Sequence, residues 1–379
     1  MDLSIPPELV EVQKRARRAA DELLAPRARL ADEEARFDRG LAAELGRRDL
    51  LDERLSALGL ALVYEELGRV DSSARGFATV QVSLVARCLA EWGSAAHRSD
   101  WLPRLRAGDA IGCYALTEPE AGSDIRSIRT RAVTIGHGWE LEGEKHWITN
   151  GGVADVALVF ASAEEGLTAF VVPTSTAGFS AEEMPGKDLG HRASNHARLS
   201  LTKVRLPATS ILGEVGGGFA VATSALGHGR LGVAAGAVGV LQACLDASLD
   251  FARRRRQFGR RIGDFEMIQA SLADMAADLA AARLLVRQAA WLVDTGVESS
   301  LAIATAKLFC TEAALRAADQ AILIHGARGY SSEYPVERYW RDAKGMQIYE
   351  GTAHIQRVII ARELLGPDPD RRPREAGRH

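Results

Sequence analysis

From the glycine cluster Gly216–Gly218 to about Leu365 the chain is alanine-rich and helical in period. It runs through "GRLGVAAGAVGVLQACLDASLDFARR", "FEMIQASLADMAADLAAARLLVRQAAWLVD" and "LAIATAKLFCTEAALRAADQAILI" to a last helical region around Glu350. Runs this long, with apolar positions three and four residues apart, need neighbours of the same kind, and a four-helix bundle supplies them. The rest of the chain has two other textures. From about Glu8 to Arg106 the period is also helical, in "LVEVQKRARRAADELLAPRARL", "LSALGLALVYEELGRV" and "SLVARCLAEWG". Between Ile111 and Leu212 it shortens to strands between glycine turns: "VTIGHGWELEG" predicts a hairpin across Gly136–Gly138, and "VALVF", "LTAFVVP" and "ARLSLTKVRLP" predict further strands. The expected fold is α+β, with a helical domain over 1–110, a β domain over 111–213 and a four-helix bundle over 214–379. The Pro-rich, charged end "GPDPDRRPREAGRH" predicts a frayed tail.

Charge and cysteine content exclude several function classes. The 47 Lys plus Arg nearly balance the 50 Asp plus Glu, and a net charge of −3 gives no reason to expect nucleic acid or an anionic membrane as partner. Cys88, Cys113, Cys244 and Cys310 are scattered without metal-ligand spacing, which points to a reducing cytoplasm and no structural metal. The start "MDLSIPPELVEVQKRARR" has no apolar core of a signal peptide. No uninterrupted apolar run reaches the ~18–20 residues of a membrane helix, so the expectation is a soluble cytoplasmic protein.

Four stretches carry chemistry. In "MQIYEGTAHIQR" a single carboxylate, Glu350, precedes Gly351, and Ile348, Ile355, Val358, Ile359 and Leu364 fall at the spacing of one buried helical stripe. The bland reading of Glu350 is a partly solvated side chain at a helix break. In "CYALTEPEAGSD", Thr117, Ser123 and free backbone N–H groups around Ala121 and Gly122 suit the oxygens of a ligand, and an ordinary turn suits them equally. In "GEKHWITNGG", Trp147 and Thr149 share one side of a strand, an aromatic plate beside a hydroxyl; the competing reading is a core tryptophan. The four consecutive arginines in "FARRRRQFGRR" suit either the phosphates of nucleic acid or a solvated helix end.

Together these stretches occur in one order and spacing. Through "ALTEPEAGSD", "GEKHWITN", "GRLGVAAGAVG", "RRQFGRRIGDFEMIQASLADM" and "YPVERYWRDAKGMQIYEGTAHIQR" the chain resembles the acyl-CoA dehydrogenase flavoproteins along nearly its whole length. The resemblance implies an FAD enzyme acting on CH–CH bonds of acyl thioesters. Glu350 would be the base that removes the proton α to the thioester, while the β hydride passes to flavin N5. The carbonyl would be polarised by the Glu350 N–H and a ribityl hydroxyl. Tyr114, Leu116, Thr117, Gly122, Ser123, Trp147 and Thr149 match flavin contacts, and Thr352 and His354 further cofactor contacts. Arg255, Gln257 and Phe258 match a segment reaching the FAD of a neighbouring subunit in a homotetramer or homodimer. Arg230, Arg75, Tyr349 and Gly351 match substrate positions. In isovaleryl- and long-chain-type relatives the base precedes the arginine that Arg230 matches, and Gly229 stands there instead.

The chain also departs from the family pattern. The loop resembling "PEEYGG" before "LVYEELGRV" is missing, Gly227 replaces an aspartate that often contacts pantetheine, and Leu323 and Ala327 stand in place of a glutamine and a glycine near the FAD. Arg75 matches the arginine that holds a substrate carboxylate in glutaryl-type relatives, and "NHARLSL" resembles dehydrogenases of acyl-carrier-protein thioesters that make polyketide extender units. The substrate expectation is therefore a small polar acyl group on CoA, with a carrier protein as the alternative and an electron-transfer flavoprotein or another acceptor taking the electrons. The null for Arg75 is a side chain in solvent or paired with Glu65 or Glu66. A reading of another class, a flavoprotein without turnover that binds nucleic acid or protein, is disfavoured by the slightly negative charge and the presence of the base.

Overall fold

Capping residues mark where the helices begin. In the computed structural model, which describes residues 5–366, the first part of the chain forms α1 (Pro7–Ala19), α2 (Ala28–Glu34), α3 (Gly40–Gly46), α4 (Ala57–Val70), α5 (Ser72–Thr79), α6 (Arg87–Trp92) and α7 (Ala95–Ala107). π-helical turns at Ala20–Leu24 and Val80–Ala86 extend α1 and join α5 to α6. Asp71 accepts from the N–H groups of Ser73 and Ala74 at the start of α5, and Ser94 forms a capping box with His97 at the start of α7. The short connection into α4 is closed from a distance: the Asp294 carboxylate accepts from the N–H groups of Ala57 and Leu58. The charged tail of the sequence lies outside the described residues.

The middle of the chain is an eight-stranded sheet. Its strands are β1 (Gly112–Ala115), β2 (Arg131–Ile135), β3 (Gly138–Thr149), β4 (Val156–Ala163), β5 (Gly166–Pro173), β6 (Phe179–Glu183), β7 (His196–Pro207) and β8 (Ile211–Leu212). The order is β6-β7-β3-β2-β4-β5-β8, with β1 parallel to β4. The predicted hairpin is present as β2 and β3, which turn at Gly136–His137. Residues of β1 and β4 alternate between two apolar clusters: Tyr114, Val156, Leu158 and Phe160 pack against α6, α7 and the start of the next helix, and Cys113, Ala115, Ala157 and Val159 pack inside the sheet.

After the sheet come α8 (Gly218–Arg254), a small hairpin of β9 (Arg256–Gln257) and β10 (Arg260–Arg261), and then α9 (Glu266–Asp294), α10 (Ser300–His325), α11 (Val336–Met346) and α12 (Ala353–Leu365). Helix α8 is the spine of the molecule and lies between α4 and α10 in one continuous apolar core. The crossing with α4 is close enough that a Cβ on Gly239 would sit 2.1 Å from the carbonyl oxygen of Glu65.

Helix α8 contains a stretch of mean hydropathy 1.5, long and apolar enough by composition to cross a bilayer, and 83% of that stretch is buried by the rest of the chain. Arg230, Gln242 and Asp246 interrupt the apolar run along this helix. One sequence expectation fails: the apolar stripe through Glu350 is not buried, since Ile348 is 57% and Leu364 70% exposed, Val358 is exposed, and Ile355 and Ile359 are half-buried. The chain leaves the helix between Met346 and Ala353, so residues on the two sides of the break do not share a helical phase.

Candidate active site

Glu350 stands in the break between α11 and α12 and takes a left-handed backbone conformation, φ 54°. That conformation is costly for a residue with a side chain and has to be held by its surroundings. Here it is held by cations. Arg230, from α8, donates through Nε to the Glu350 carbonyl at 3.1 Å. Lys307, from α10, donates through Nζ to the carbonyls on either side, Tyr349 at 2.8 Å and Gly351 at 2.6 Å. Gln356 Nε2 adds a bond to Gly351 O at 2.9 Å, and the Thr352 hydroxyl caps α12 by accepting from Ile355 N–H. Gly351 has φ 92°, and a Cβ there would meet Gln356 Nε2 at 2.8 Å, so glycine is required both by conformation and by space.

The turn aims the Glu350 side chain at α8. Its Oε2 is buried without a hydrogen-bond partner, while the residue as a whole is half-buried. A Cβ on Gly229 would lie 2.0 Å from that oxygen and 2.7 Å from Leu84 Cδ2. The carboxylate thus occupies the space a larger residue at 229 would need. Burial pushes the Glu350 carboxyl up to about 7, against the pull of Lys307, Arg75 and Arg230. Burial likewise brings the Lys307 ammonium down to about 7, opposed by Glu350. No hydrogen bond from the Glu350 N–H occurs among the described residues.

Arg75 is 1% exposed and pairs with neither Glu65 nor Glu66, so its solvated or acid-paired reading fails. Those acids are taken by Arg283 and Arg17. The guanidinium donates to the Tyr349 hydroxyl, lies 3.4 Å from Thr79 Oγ1 and sits 5.6 Å from the Tyr349 ring centroid, and its Nε is buried without a partner. Tyr349 Oη is also 3.3 Å from His191 Nε2. Glu350, Arg230, Arg75 and Tyr349 therefore meet at one place, with Tyr114 of β1 close enough to feel both Glu350 and Arg230.

A second group forms around β3. Trp147 is 56% exposed with φ 58°, at a bulge where the register with β7 shifts between Lys145 and Ile148. It is not a core tryptophan. The indole is exposed at this bulge, and His146 N–H donates to Thr117 O at 2.9 Å, which ties this segment to the one after β1. Buried Lys145 reinforces the tie through Leu116 O and Glu118. Gly122 and Ser123 are exposed, but Ala121 N–H is not free: it is bonded to Glu118 O. Arg255, Gln257 and Phe258 are exposed beyond the end of α8, Phe258 by 93%. At ~1.5 Å per residue Arg255 lies nearly 40 Å along α8 from Arg230, so one chain does not bring these two groups together. Thr352 is half-buried and His354 exposed on the first turn of α12.

Sequence reasoning missed Lys307. The signal was available: in "AIATAKLFCTEAA" the lysine falls in helical phase with Ile303, Ala304, Cys310, Thr311 and Ala314, all buried. A cation on such a stripe needs a partner at its tip.

Comparison with known proteins identifies the family. Residues 6–109, 113–204 and 216–365 match the N-terminal, middle and C-terminal domains of acyl-CoA dehydrogenases. The chain is 40% identical over 360 residues to the short-chain specific mitochondrial acyl-CoA dehydrogenase of Mus musculus, covering 91% of this chain and 87% of that protein. It superimposes with a TM-score of 0.93 and 33% identity on a glutaryl-CoA dehydrogenase from Mycobacterium smegmatis in complex with FADH2, covering 97% of each chain. The prolyl acyl carrier protein oxidase AnaB is similar at 29% identity and a TM-score of 0.91, over 95% of this chain and all of that one. With its three matched domains, a carboxylate buried against α8 and an exposed indole on the sheet, the chain belongs to the acyl-CoA dehydrogenase family of FAD-dependent oxidoreductases acting on CH–CH bonds.

Proposed function

We propose that Glu350 is the base of an acyl-thioester dehydrogenase whose substrate is a small acyl group with a polar or acidic end, carried on CoA. The observation that carries this reading is the Glu350 carboxylate: buried, unpartnered at Oε2, and raised by burial to about 7. A carboxylate so placed is a strong enough base at neutral pH to take a weakly acidic α proton. The free Glu350 N–H beside it is a donor for the thioester carbonyl, which stabilises the negative charge that develops as the proton leaves. Arg230, on the other side of the turn, keeps the N–H and the carboxylate in one rigid frame.

The residues present fit FAD. The exposed Trp147 indole offers a face for a planar ring, Thr117, Ser123 and Thr149 would supply hydroxyls, and buried Tyr114 and Leu116 would pack against it. Bound there, FAD would supply the two-electron acceptor for the β hydrogen. Thr352 and His354 would add further cofactor contacts. Arg255, Gln257 and Phe258 suit the pyrophosphate and adenosine half of the FAD of a second copy of the chain, in a dimer or tetramer. Arg255→Ala is then expected to weaken FAD retention roughly ten- to hundredfold, the worth of one charge-assisted bond to phosphate, and to loosen subunit association with it. Cofactor titration with sizing chromatography measures both, and normal FAD binding by this variant would leave the arginine run as a solvated helix end.

Arg75 supports the polar acyl end. Among the described residues this buried cation is hydrogen-bonded to hydroxyls and packed on a ring, with no acid in hydrogen-bond contact, although the Glu350 carboxylate is near enough to feel it. A carboxylate or hydroxyl on the substrate would complete its shell, whereas a long alkyl chain would not. A carrier protein in place of CoA is the second reading, favoured by the open space around Gly227 and by the similarity to AnaB. Anaerobic flavin bleaching with glutaryl, hydroxyacyl, butyryl, octanoyl and palmitoyl groups, each on CoA and on acyl carrier protein, tests the whole proposal. The expected order places the short polar groups first. Fastest bleaching by octanoyl thioesters would overturn the polar assignment, and bleaching by none would favour a flavoprotein without turnover.

A further inference from the structure

Lys307 is the one buried cation of the site for which the reaction as described has no use. It comes from the middle of α10, is 1% exposed, and forms no salt bridge at its tip with any acid among the described residues. Its ammonium instead bridges two carbonyls, Tyr349 O and Gly351 O, which flank the residue in the left-handed conformation. An ammonium is a compact donor of three hydrogens, and here it donates to two carbonyls of the same turn. Such a bridge closes a ring across Glu350. With Arg230 on the carbonyl between, all three carbonyls of the segment 349–351 are held by cations from α8 and α10.

We propose that Lys307 is a positioning residue for the base: it locks the Tyr349–Gly351 turn that aims Glu350, and its positive charge beside that turn favours the ionised form of the carboxylate. This rests on Glu350 being the base. The groups facing Glu350 are Tyr64 from α4, Arg75 from α5, Tyr114 from β1, Arg230 from α8, Lys307 from α10 and Tyr349 of its own loop. Burial lifts the tyrosines well out of the neutral range, Tyr64 and Tyr349 to about 12. His191, behind Tyr349, is driven by burial and by Arg75 down to about 3 and stays uncharged. At about pH 6–9 arginine stays protonated and tyrosine neutral, so Glu350 and Lys307 are the pair whose charges change. A buried positive charge favours the ionised carboxylate, so removing it moves the carboxyl further up and the base becomes active only at higher pH.

The experiment uses the FAD-loaded enzyme and three variants, Lys307→Gln, Lys307→Arg and Glu350→Gln. Glutamine keeps a donor for the loop carbonyls and loses the charge, and arginine keeps both. Two readouts are followed against pH: the rate of flavin reduction at saturating thioester, and the C=O stretch of the protonated Glu350 carboxyl in infrared spectra, identified by its absence in Glu350→Gln. In Lys307→Gln both are expected to move up by about one pH unit or more, with the rate at neutral pH down about fivefold and recovering as pH rises. In Lys307→Arg both should stay near the wild type. If the carboxyl of Lys307→Gln titrates where it does in the wild type, the charge of Lys307 does not act on the base, whatever happens to the rate. Wild-type reduction by Glu350→Gln would instead remove Glu350 as the base. Should Lys307→Gln fail to fold, a Lys307→Arg enzyme with a displaced carboxyl titration would equally overturn the proposal.

Discussion

Glu350→Gln is expected to retain the fold and FAD and to lose at least ~10²-fold in the rate of flavin reduction, the lower end of what a positioned general base contributes. The substitution is nearly isosteric, and the bonds from Arg230, Lys307 and Gln356 that hold the turn run to backbone carbonyls of residues 349–351 rather than to the Glu350 side chain. The turn should therefore survive, and the amide fits the space that Gly229 leaves open. What is lost is the acceptor for the α proton. Anaerobic stopped-flow mixing with a short acyl thioester measures the rate. Near-normal reduction would place the base elsewhere, and Gly229, where some relatives carry theirs, has no side chain to take over.

Arg75→Ala is expected to change substrate discrimination by ~10²-fold or more, because two effects add. A polar acyl end loses a charge-assisted bond of ~1.5–3 kcal/mol, while an alkyl end no longer leaves a buried cation unpaired, a penalty that reaches about 3–5 kcal/mol when one partner of a buried pair is missing. The ratio of kcat/KM for glutaryl over butyryl thioester reports both. Tyr349 and Thr79, the protein partners of Arg75, keep a hydrogen-bonding edge in that pocket, so a hydroxyacyl group should lose less than a carboxylate. Equal losses on butyryl and glutaryl thioesters would mean that Arg75 supports the pocket without reading the acyl end.

The three textures of the sequence were legible because each depends on local periodicity, and the element boundaries follow them: helices to Ala107, strands from Gly112 to Leu212, helices again from Gly218. Glu350 and Trp147 were legible as candidates through their motifs. Their geometry was not, since both depend on left-handed backbone at a non-glycine residue, φ 54° and 58°, which no side-chain pattern announces. Lys307 escaped for a different reason. Its role comes from a contact 42 and 44 residues away in sequence, between α10 and the loop before α12, and helical phase reports that a side chain is buried without reporting what it meets. The bonded Ala121 N–H likewise depends on a two-residue bridge to Glu118 that composition does not reveal.

The contact between Gly229 and Glu350 bears on how such enzymes diversify. The carboxylate can be supplied from α8 or from the loop before α12, and the 2.0 Å separation between a Cβ at 229 and Glu350 Oε2 means that the two supplies compete for one volume. Glutamate added at 229 alone would crowd two acids into a cavity built for one, and glycine at 350 alone would leave none. Moving the acid to α8 in this protein therefore calls for a paired change, Gly229→Glu together with Glu350→Gly, which keeps a single carboxylate in that volume.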